Sequence, residues 1–163
     1  TKAMGGQGYV TGSYNVALGE SALCGVCAGS NNIAIGCDAG KEMTSGCNNI
    51  FLGQNAGRDL TTGNQNIAIG LNTMYDGVVT GDNNIAIGVS AGDALTSGYA
   101  NVFIGKDAGG TVNQGYGNIF IGNKAGSAHT AQINSVAIGN FAYDGGSANQ
   151  VVCIGAYLSL IHI

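Results

Sequence analysis

The sequence predicts an all-β fold, a parallel β-solenoid of about nine 17-residue rungs, and three observations support this. A short apolar segment ending in glycine occurs nine times, and consecutive terminal glycines are separated by 17, 17, 17, 18, 17, 17, 17 and 16 residues. Such a fixed short period is the signature of a solenoid. A 17-residue unit cannot hold two helices, and no helical apolar spacing is sustained. The 163 residues include 30 glycines and no proline but are 45% hydrophobic, which is neither collagen-like nor disordered.

Each rung is numbered here from the residue before the usual Asn, so the apolar segment takes positions two to six. The segments are 15–19, 32–36, 49–53, 66–70, 84–88, 101–105, 118–122, 135–139 and 151–155. Their middle residues are mostly β-branched or aromatic, which predicts one short strand in each.

Positions three and five hold only Val, Leu and Ile, and they share one face of the strand. We expect them to stack into two buried aliphatic ladders that form the core. Position four lies on the opposite face and carries no charged or strongly polar residue. It holds Ala17, Ala34, Phe51, Ala68, Ala86, Phe103, Phe120, Ala137 and Cys153. A strand that is apolar on both faces is covered on both, so we expect position four to contact another copy of the chain, or else a second sheet of the same chain.

The other repeated positions predict turns and a closing strand. Glycine fills position six in every rung and position sixteen in six, which indicates positive φ or close backbone approach. Asn fills position two in seven rungs, where its side chain can bond to the bend and to the next Asn. Ala at position nine and aliphatic residues at position thirteen predict a second short strand per rung, giving a flattened β-roll.

We expect one repeat domain over residues 1–157, a fragment open at both ends. The chain begins within a repeat, because Val10-Thr-Gly12 resembles the rung ending Val79-Thr-Gly81. Residues 158–163 match no repeat and agree with one reading frame of a transposase adapter, so we interpret them as a non-native tail.

Charge and hydropathy exclude two classes of partner. Nine acidic and five basic residues give a net charge of -4 without a basic cluster, which argues against nucleic acid. The longest apolar stretch, residues 151–163, falls short of the roughly 20 residues that span a bilayer, so we expect no membrane contact by this segment.

The repeat resembles two related families. Ser135-Val-Ala-Ile-Gly139 is similar to the head repeats of trimeric autotransporter adhesins, the YadA-like left-handed β-roll. The longer form, Asn-Ile-Ala-Ile-Gly followed by Ala-Gly and Thr-Ser-Gly, resembles tandem repeats of phage tail fibres and large bacterial surface proteins. The period differs, because the adhesin head repeat is nearer 14 residues. The resemblance covers about residues 9–157 and implies a left-handed roll, a homotrimer, and an extracellular location on a cell surface or in a virion tail fibre.

Cysteine chemistry is the first candidate for a site. Cys24 and Cys27 form a CxxC, and Cys37 and Cys47 follow at spacings seen in zinc sites. They occupy positions eleven, fourteen, seven and seventeen, on different sides of the coil, and no second CxxC follows. A Cys24–Cys27 disulfide remains an alternative. We expect mainly unpaired thiols and no metal.

Other candidates for chemistry are weaker. The nine acidic residues fall singly at outward positions rather than at one repeated position, so neither a calcium site nor a catalytic pair is predicted. Gly40-Lys41 is followed by Glu42 where a phosphate loop needs Ser or Thr. His129 and His162 have no plausible partner. Hydroxyls at positions fourteen and fifteen, such as Thr44, Thr61 and Thr96, could line an ice-binding edge but are more typical of turns.

The sequence therefore predicts a structural and adhesive segment of an extracellular trimeric fibre, with no enzymatic activity and no cofactor. Outward positions seven, eight, eleven and twelve would face an unknown ligand such as a matrix protein, a glycan or a cell surface; Glu20, Gln54, Lys106 and Lys124 are examples. No ligand-binding, catalytic or metal residue is assigned. A tail-fibre shaft, a glycan-degrading tailspike segment and an ice-binding solenoid are the alternatives. A fibre predicts no cleft, whereas an enzyme predicts a groove with converging carboxylates.

Overall fold

The protein is described by a computed structural model that covers residues 11–25, 28–128, 130–145 and 148–158. Within these residues the secondary structure is all β, with nine parallel strands in one sheet and no helix. The strands follow one another in chain order across the sheet. The predicted solenoid with 17-residue spacing is confirmed, while its handedness stays a prediction.

Each strand covers positions three to five of its rung. The bounds are β1 Val16–Leu18, β2 Ile33–Ile35, β3 Ile50–Leu52, β4 Ile67–Ile69, β5 Ile85–Ile87, β6 Val102–Ile104, β7 Ile119–Ile121, β8 Val136–Ile138 and β9 Val152–Ile154. Neighbouring strands pair position for position, as in Val16 with Ile33, and the one-residue insertion between β4 and β5 leaves this register intact. The extra residue is accommodated in the turn that carries Gly77 and Val78.

Position six ends every strand and accepts only glycine for two reasons. Its φ lies between 131° and 140°. A Cβ at Gly53 would also lie 2.5 Å from the carbonyl oxygen of Gly70 in the next rung. Both the positive φ and the close approach expected from the sequence are therefore present.

The faces of the strands are opposite to the sequence prediction. Position four points into the coil, where Ala34, Phe51, Phe103 and Phe120 have no exposed surface. None of the eighteen residues at positions three and five is buried. The two aliphatic ladders are present, but they lie on the outside of the solenoid. The narrow interior accommodates only one side chain from each strand, and side chains from the turns occupy the rest of it.

The interior is filled by complementary sizes at positions four and ten. Phe51, at position four, packs against two glycines at position ten, Gly40 of rung two and Gly57 of rung three. A Cβ added at either glycine would lie 2.4–2.7 Å from the Phe51 ring. Where position four is Ala, position ten can be large, and Leu23, Met74 and Tyr143 are fully buried there. Alanines at position nine and the aliphatic residues of position thirteen complete the core. Val26 and His129, also at position thirteen, lie outside the described residues.

The second side of each rung consists of turns, so the predicted second strand is wrong. Positions eight and ten adopt the left-handed conformation, as in Asp38 (φ 56°) and Gly40 (φ 59°), which breaks an extended backbone. These turns still stack by hydrogen bonds between rungs, for example from Gly40 N–H to the Ala56 carbonyl (3.0 Å). Only two isolated parallel bridges, Leu60 with Val79 and Tyr116 with Ile133, form on this side within the described residues.

Asn at position two forms a buried ladder along the rod, as expected. Asn66 illustrates the repeat: its Oδ1 accepts the backbone N–H (2.9 Å) and the side-chain N–H (3.1 Å) of Asn84, and its own Nδ2 donates to the Gly81 carbonyl (2.9 Å). Six of these asparagines have no exposed surface. Ser135 continues the ladder, because its Oγ accepts the N–H of Val151 (3.2 Å).

The rung pattern continues through Leu158, one residue beyond the predicted domain. The Leu158 carbonyl accepts the N–H of Tyr143, which is the register used by Gly40 and Ala56 in earlier rungs. Residues 159–163 of the predicted tail lie outside the described residues.

Candidate functional site

Two surfaces of the solenoid are candidates for function, and the first is the outer face of the sheet. Positions three and five of all nine rungs form a continuous band of Val, Leu and Ile, here called the aliphatic strip. Eight of its eighteen residues are between 36% and 69% exposed, and the other ten are partly exposed. Soluble chains rarely expose a contiguous apolar area of this kind without a partner.

The strip has the dimensions of the centre of an interface. Eight steps of about 4.8 Å give a length of about 38 Å, and two side-chain columns give a width of about 10 Å, so its area is about 400 Å². A standard protein interface buries about 800 Å² per partner, with an apolar centre and a polar rim. The strip contains no charged residue, so a partner for it must also be apolar.

The second surface is a groove of about 400 Å³ across rungs five to eight. One wall is formed at position eight by Ser90, Asp107, Lys124 and Phe141. The other wall is formed at positions eleven and twelve by Asp93, Gly110, Thr111, Ser127 and Asp144. This groove, called the outer groove below, shares no residue with the aliphatic strip. From the sequence, no groove was predicted at these positions.

The outer groove exists because position eleven becomes small. Rungs two to four carry Lys41, Arg58 and Tyr75 there, and the Arg58 guanidinium lies over the Tyr75 ring at 5.4 Å. Rungs six and seven carry Gly110 and Ser127 instead, so the space beside position eight stays open. The sequence contains this change of size, which is the signal that would have predicted the groove.

The lining of the outer groove mixes charges and hydroxyls. Three carboxylates and one ammonium group give it an excess of two negative charges when all are ionised. The Lys124 ammonium lies over the Phe141 ring (5.5 Å). The Phe141 ring also stacks on the Tyr157 ring, at position eight of the next rung (5.4 Å between centroids). Ser127 Oγ donates to Asp144 Oδ1 at 3.4 Å. The groove therefore offers both hydrogen-bond donors and acceptors.

Burial raises the pKa of two carboxyl groups on this side of the rod. The pKa of Asp93 lies above its usual range because of burial and then the charge of Asp76, and backbone N–H groups of Tyr75 and Asp76 offset part of this. Asp93 Oδ1 is occluded and accepts no hydrogen bond. The pKa of Asp59 is raised by burial first, against the lowering effect of Arg58. Glu42, Asp59, Asp76 and Asp93 follow one another at 17-residue intervals, a file that the sequence analysis did not recognise.

The four cysteines that the structure describes do not converge. Cys24, Cys37, Cys47 and Cys153 are free thiols, Cys37 is exposed, and Cys153 lies in the core with its pKa raised by burial. Cys27, the alternative disulfide partner of Cys24, lies outside the described residues. Among the residues that the structure describes, no group of three or more His, Cys, Asp or Glu side chains is placed to hold a metal ion.

The candidate residues for phosphate binding and for ice binding contact other parts of the solenoid. Gly40 packs against Phe51 and Leu23, and Lys41 pairs with Asp38 (3.3 Å), so neither belongs to a phosphate site. Thr44 and Thr96 donate their hydroxyls to carbonyls of the next rung (3.1 and 3.0 Å), as turn residues do. His162, like His129, lies outside the described residues.

Four outward residues were named from the sequence. Glu20, Gln54, Lys106 and Lys124 at positions seven and eight are all exposed. In the part of the chain that the structure describes, no helix is long and apolar enough to cross a membrane.

No family model matches the chain, and neither a curated protein nor a solved structure is significantly similar to it.

Proposed function

We propose that the chain is a structural and adhesive segment of an extracellular homotrimeric fibre, as in an adhesin head or stalk. The observation that carries this proposal is the exposed aliphatic strip, which runs the whole length of the sheet. A second copy of the chain is the partner that fits best, because it offers an apolar band of the same length and the same rung spacing. Three parallel rods around one axis cover all three strips at once.

This proposal keeps the prediction of a trimer but moves its interface. From the sequence, the intersubunit contact was expected at position four, which the structure buries inside each coil. Positions three and five take over that role in the proposal. Burying them between chains would stabilise the assembly, because each fully buried aliphatic side chain contributes on the order of 1.5–3 kcal/mol relative to an exposed one.

Aspartate substitutions test the assignment of the interface. Ile35 and Ile119 of the strip are each 39% exposed, so replacing both with Asp leaves the interior of a single chain intact. We expect the Ile35→Asp/Ile119→Asp variant to lose the trimer while keeping its far-ultraviolet circular dichroism. The matched control is Val78→Asp/Val89→Asp, which changes two valines, 61% and 42% exposed, outside the strip. A control variant that dissociates equally, or a strip variant that stays trimeric, would argue against the proposal.

A phage tail-fibre shaft needs the same trimeric rod, and within this proposal it differs only in what the fibre is attached to. Virion or cell-surface location is decided by immunolabelling of the source with an antibody to the solenoid. Label on isolated virions assigns the shaft, and label on cells assigns the adhesin.

A glycan-degrading segment is the second candidate function, and the outer groove is the observation that favours it. Asp93, Asp107 and Asp144 line one open groove, and burial raises the pKa of Asp93, as catalysis by a general acid requires. We nevertheless propose a binding role without turnover. The test is a reducing-end assay on purified polysaccharides, and release of sugar that is abolished by Asp93→Asn would establish the enzyme instead.

Ice binding requires hydroxyls that are free and regularly spaced. The hydroxyls of Thr44 and Thr96 instead donate hydrogen bonds to backbone carbonyls of the next rung. We expect no thermal hysteresis from the purified chain.

A further inference from the structure

We propose that the outer groove binds a short, uncharged oligosaccharide. This rests on the proposed adhesive function and gives it a site and a class of ligand. The groove follows the rod across four rungs, so its length is about 14 Å, three steps of about 4.8 Å. Its volume of about 400 Å³ lies within the range of about 300–1,000 Å³ typical of small-ligand sites.

The lining carries charges of both signs, so part of the groove repels any ligand that has one sign of charge along its whole length. A polyanion would meet the carboxylates of Asp93, Asp107 and Asp144, and a polycation would meet the ammonium group of Lys124 in the middle of the groove. Like charges repel one another, the more so where water is partly excluded. An elongated ligand without net charge meets neither repulsion, and it is the ligand that suits the whole groove.

The hydrogen-bonding groups of the lining identify the ligand further. The carboxylates accept hydrogen bonds, Lys124 donates them, the Ser90 hydroxyl can do both, and the Ser127 hydroxyl can accept while it donates to Asp144. A sugar hydroxyl is itself both a donor and an acceptor, and an oligosaccharide repeats such groups along a line. Hydrogen bonds to charged groups are the stronger ones, so neutral hydroxyls gain from contact with either sign of charge here.

The filled rungs supply the variants that test this site. Arg58 occupies position eleven in rung three, and Gly110 is at the same position in rung six with an ordinary φ. A Cβ at Gly110 would approach only the Asp107 carbonyl, at 3.3 Å, so Gly110→Arg closes the groove with a side chain that the fold already accommodates. Ser127→Tyr does the same without added charge and copies Tyr75 of rung four. Gln114→Arg, at an exposed position outside the groove, controls for the added charge.

The experiment is saturation-transfer NMR followed by titration with the full chain. The neutral probes are tetrasaccharides of glucose, mannose, galactose and N-acetylglucosamine, and the charged probes are tetralysine and a heparin tetrasaccharide. We expect at least one neutral probe to bind with a Kd of about 1 mM or below. Gly110→Arg and Ser127→Tyr should each weaken it by about tenfold or more, while Gln114→Arg leaves it within about twofold.

Three results would overturn the proposal: no neutral probe binds, binding survives both groove-filling variants, or a charged probe binds more tightly than every neutral one. The mass of each sample is measured by light scattering in parallel. A trimer that binds no saccharide removes the ligand assignment alone, whereas a monomer that binds saccharide removes the fibre and leaves the groove in place.

Discussion

Replacing one asparagine of the buried ladder tests how much its hydrogen bonds stabilise the solenoid. Asn66 is fully buried, and Asn66→Ala takes away the acceptor of the Asn84 backbone N–H and the donor to the Gly81 carbonyl. A buried polar group left without its partner costs about 1–3 kcal/mol. Counting only the Asn84 backbone N–H and the Gly81 carbonyl, the free energy of unfolding should fall by about 2–6 kcal/mol.

Asn66→Ser separates the hydrogen bonds from the packing. Serine already serves at position two of rung eight, where Ser135 Oγ accepts the Val151 N–H. Ser at position 66 should therefore keep an acceptor for Asn84 while losing the donor to Gly81, and it should cost about 1–3 kcal/mol. Asn123→Ala, at outward position seven, is the matched control and should change the free energy by about 0.5 kcal/mol or less.

The assay is urea unfolding followed by far-ultraviolet circular dichroism at one fixed chain concentration, because association would make stability depend on concentration. Variants are compared where the dependence on urea has the same slope. A cost of less than about 1 kcal/mol for Asn66→Ala, or an Asn66→Ser variant no more stable than Asn66→Ala, would contradict a stabilising role for these hydrogen bonds.

Three further predictions concern the core and its ionisable groups. Gly57→Ala should lower the free energy of unfolding by about 2–4 kcal/mol, because Gly57 has a φ of 58° and the new Cβ would clash with the Phe51 ring. The double variant Gly57→Ala/Phe51→Ala should lose less stability than the two single variants together, because the clash is removed. Additive losses in urea unfolding would contradict this. The pKa of Asp93 is raised in the folded state, so the stability of the chain should increase as pH falls through that pKa. Asp93→Asn should raise the urea midpoint at pH 7, and this gain should shrink on acidification as Asp93 of the unaltered chain becomes protonated. A difference in midpoint that does not change with pH would refute this. Cys153 should react with a thiol reagent only on unfolding, whereas exposed Cys37 should react in the native state; equal native rates would place Cys153 at the surface.

The repeat itself was readable from the sequence because each recurring residue has a local cause. Gly at position six, Asn at position two and the β-branched strand each have one physical role that every rung repeats, and the strand register follows from stacking identical units. These features needed no information about the overall shape.

The orientation of the strands could not be read from hydrophobicity, because both faces are apolar. The larger aliphatic residues, such as Ile67 and Ile69, were expected inside, yet Ala68 is the buried one. What fixes the inside is the pairing of sizes between positions four and ten, as in Phe51 with Gly57, and that relation crosses the coil rather than running along the strand. The closing strand was wrong for a related reason, since the left-handed residues at positions eight and ten include Lys124 and Met74, whose residue types give no signal of positive φ.

The outer groove was missed because its cause is an absence of side chains. Gly110 and Ser127 occupy the same position of the turn as Arg58, and nothing in the sequence of a single rung marks them. Their effect appears only when consecutive rungs are stacked and the missing volume becomes continuous.

The most direct test of the proposed fibre is the mass of the unaltered full chain in solution, measured by light scattering across a range of concentrations. The exposed aliphatic strip predicts a mass three times that of the 16.2 kDa chain, stable on dilution. A monodisperse monomer, with the strip open to water, would contradict the trimer and with it the fibre.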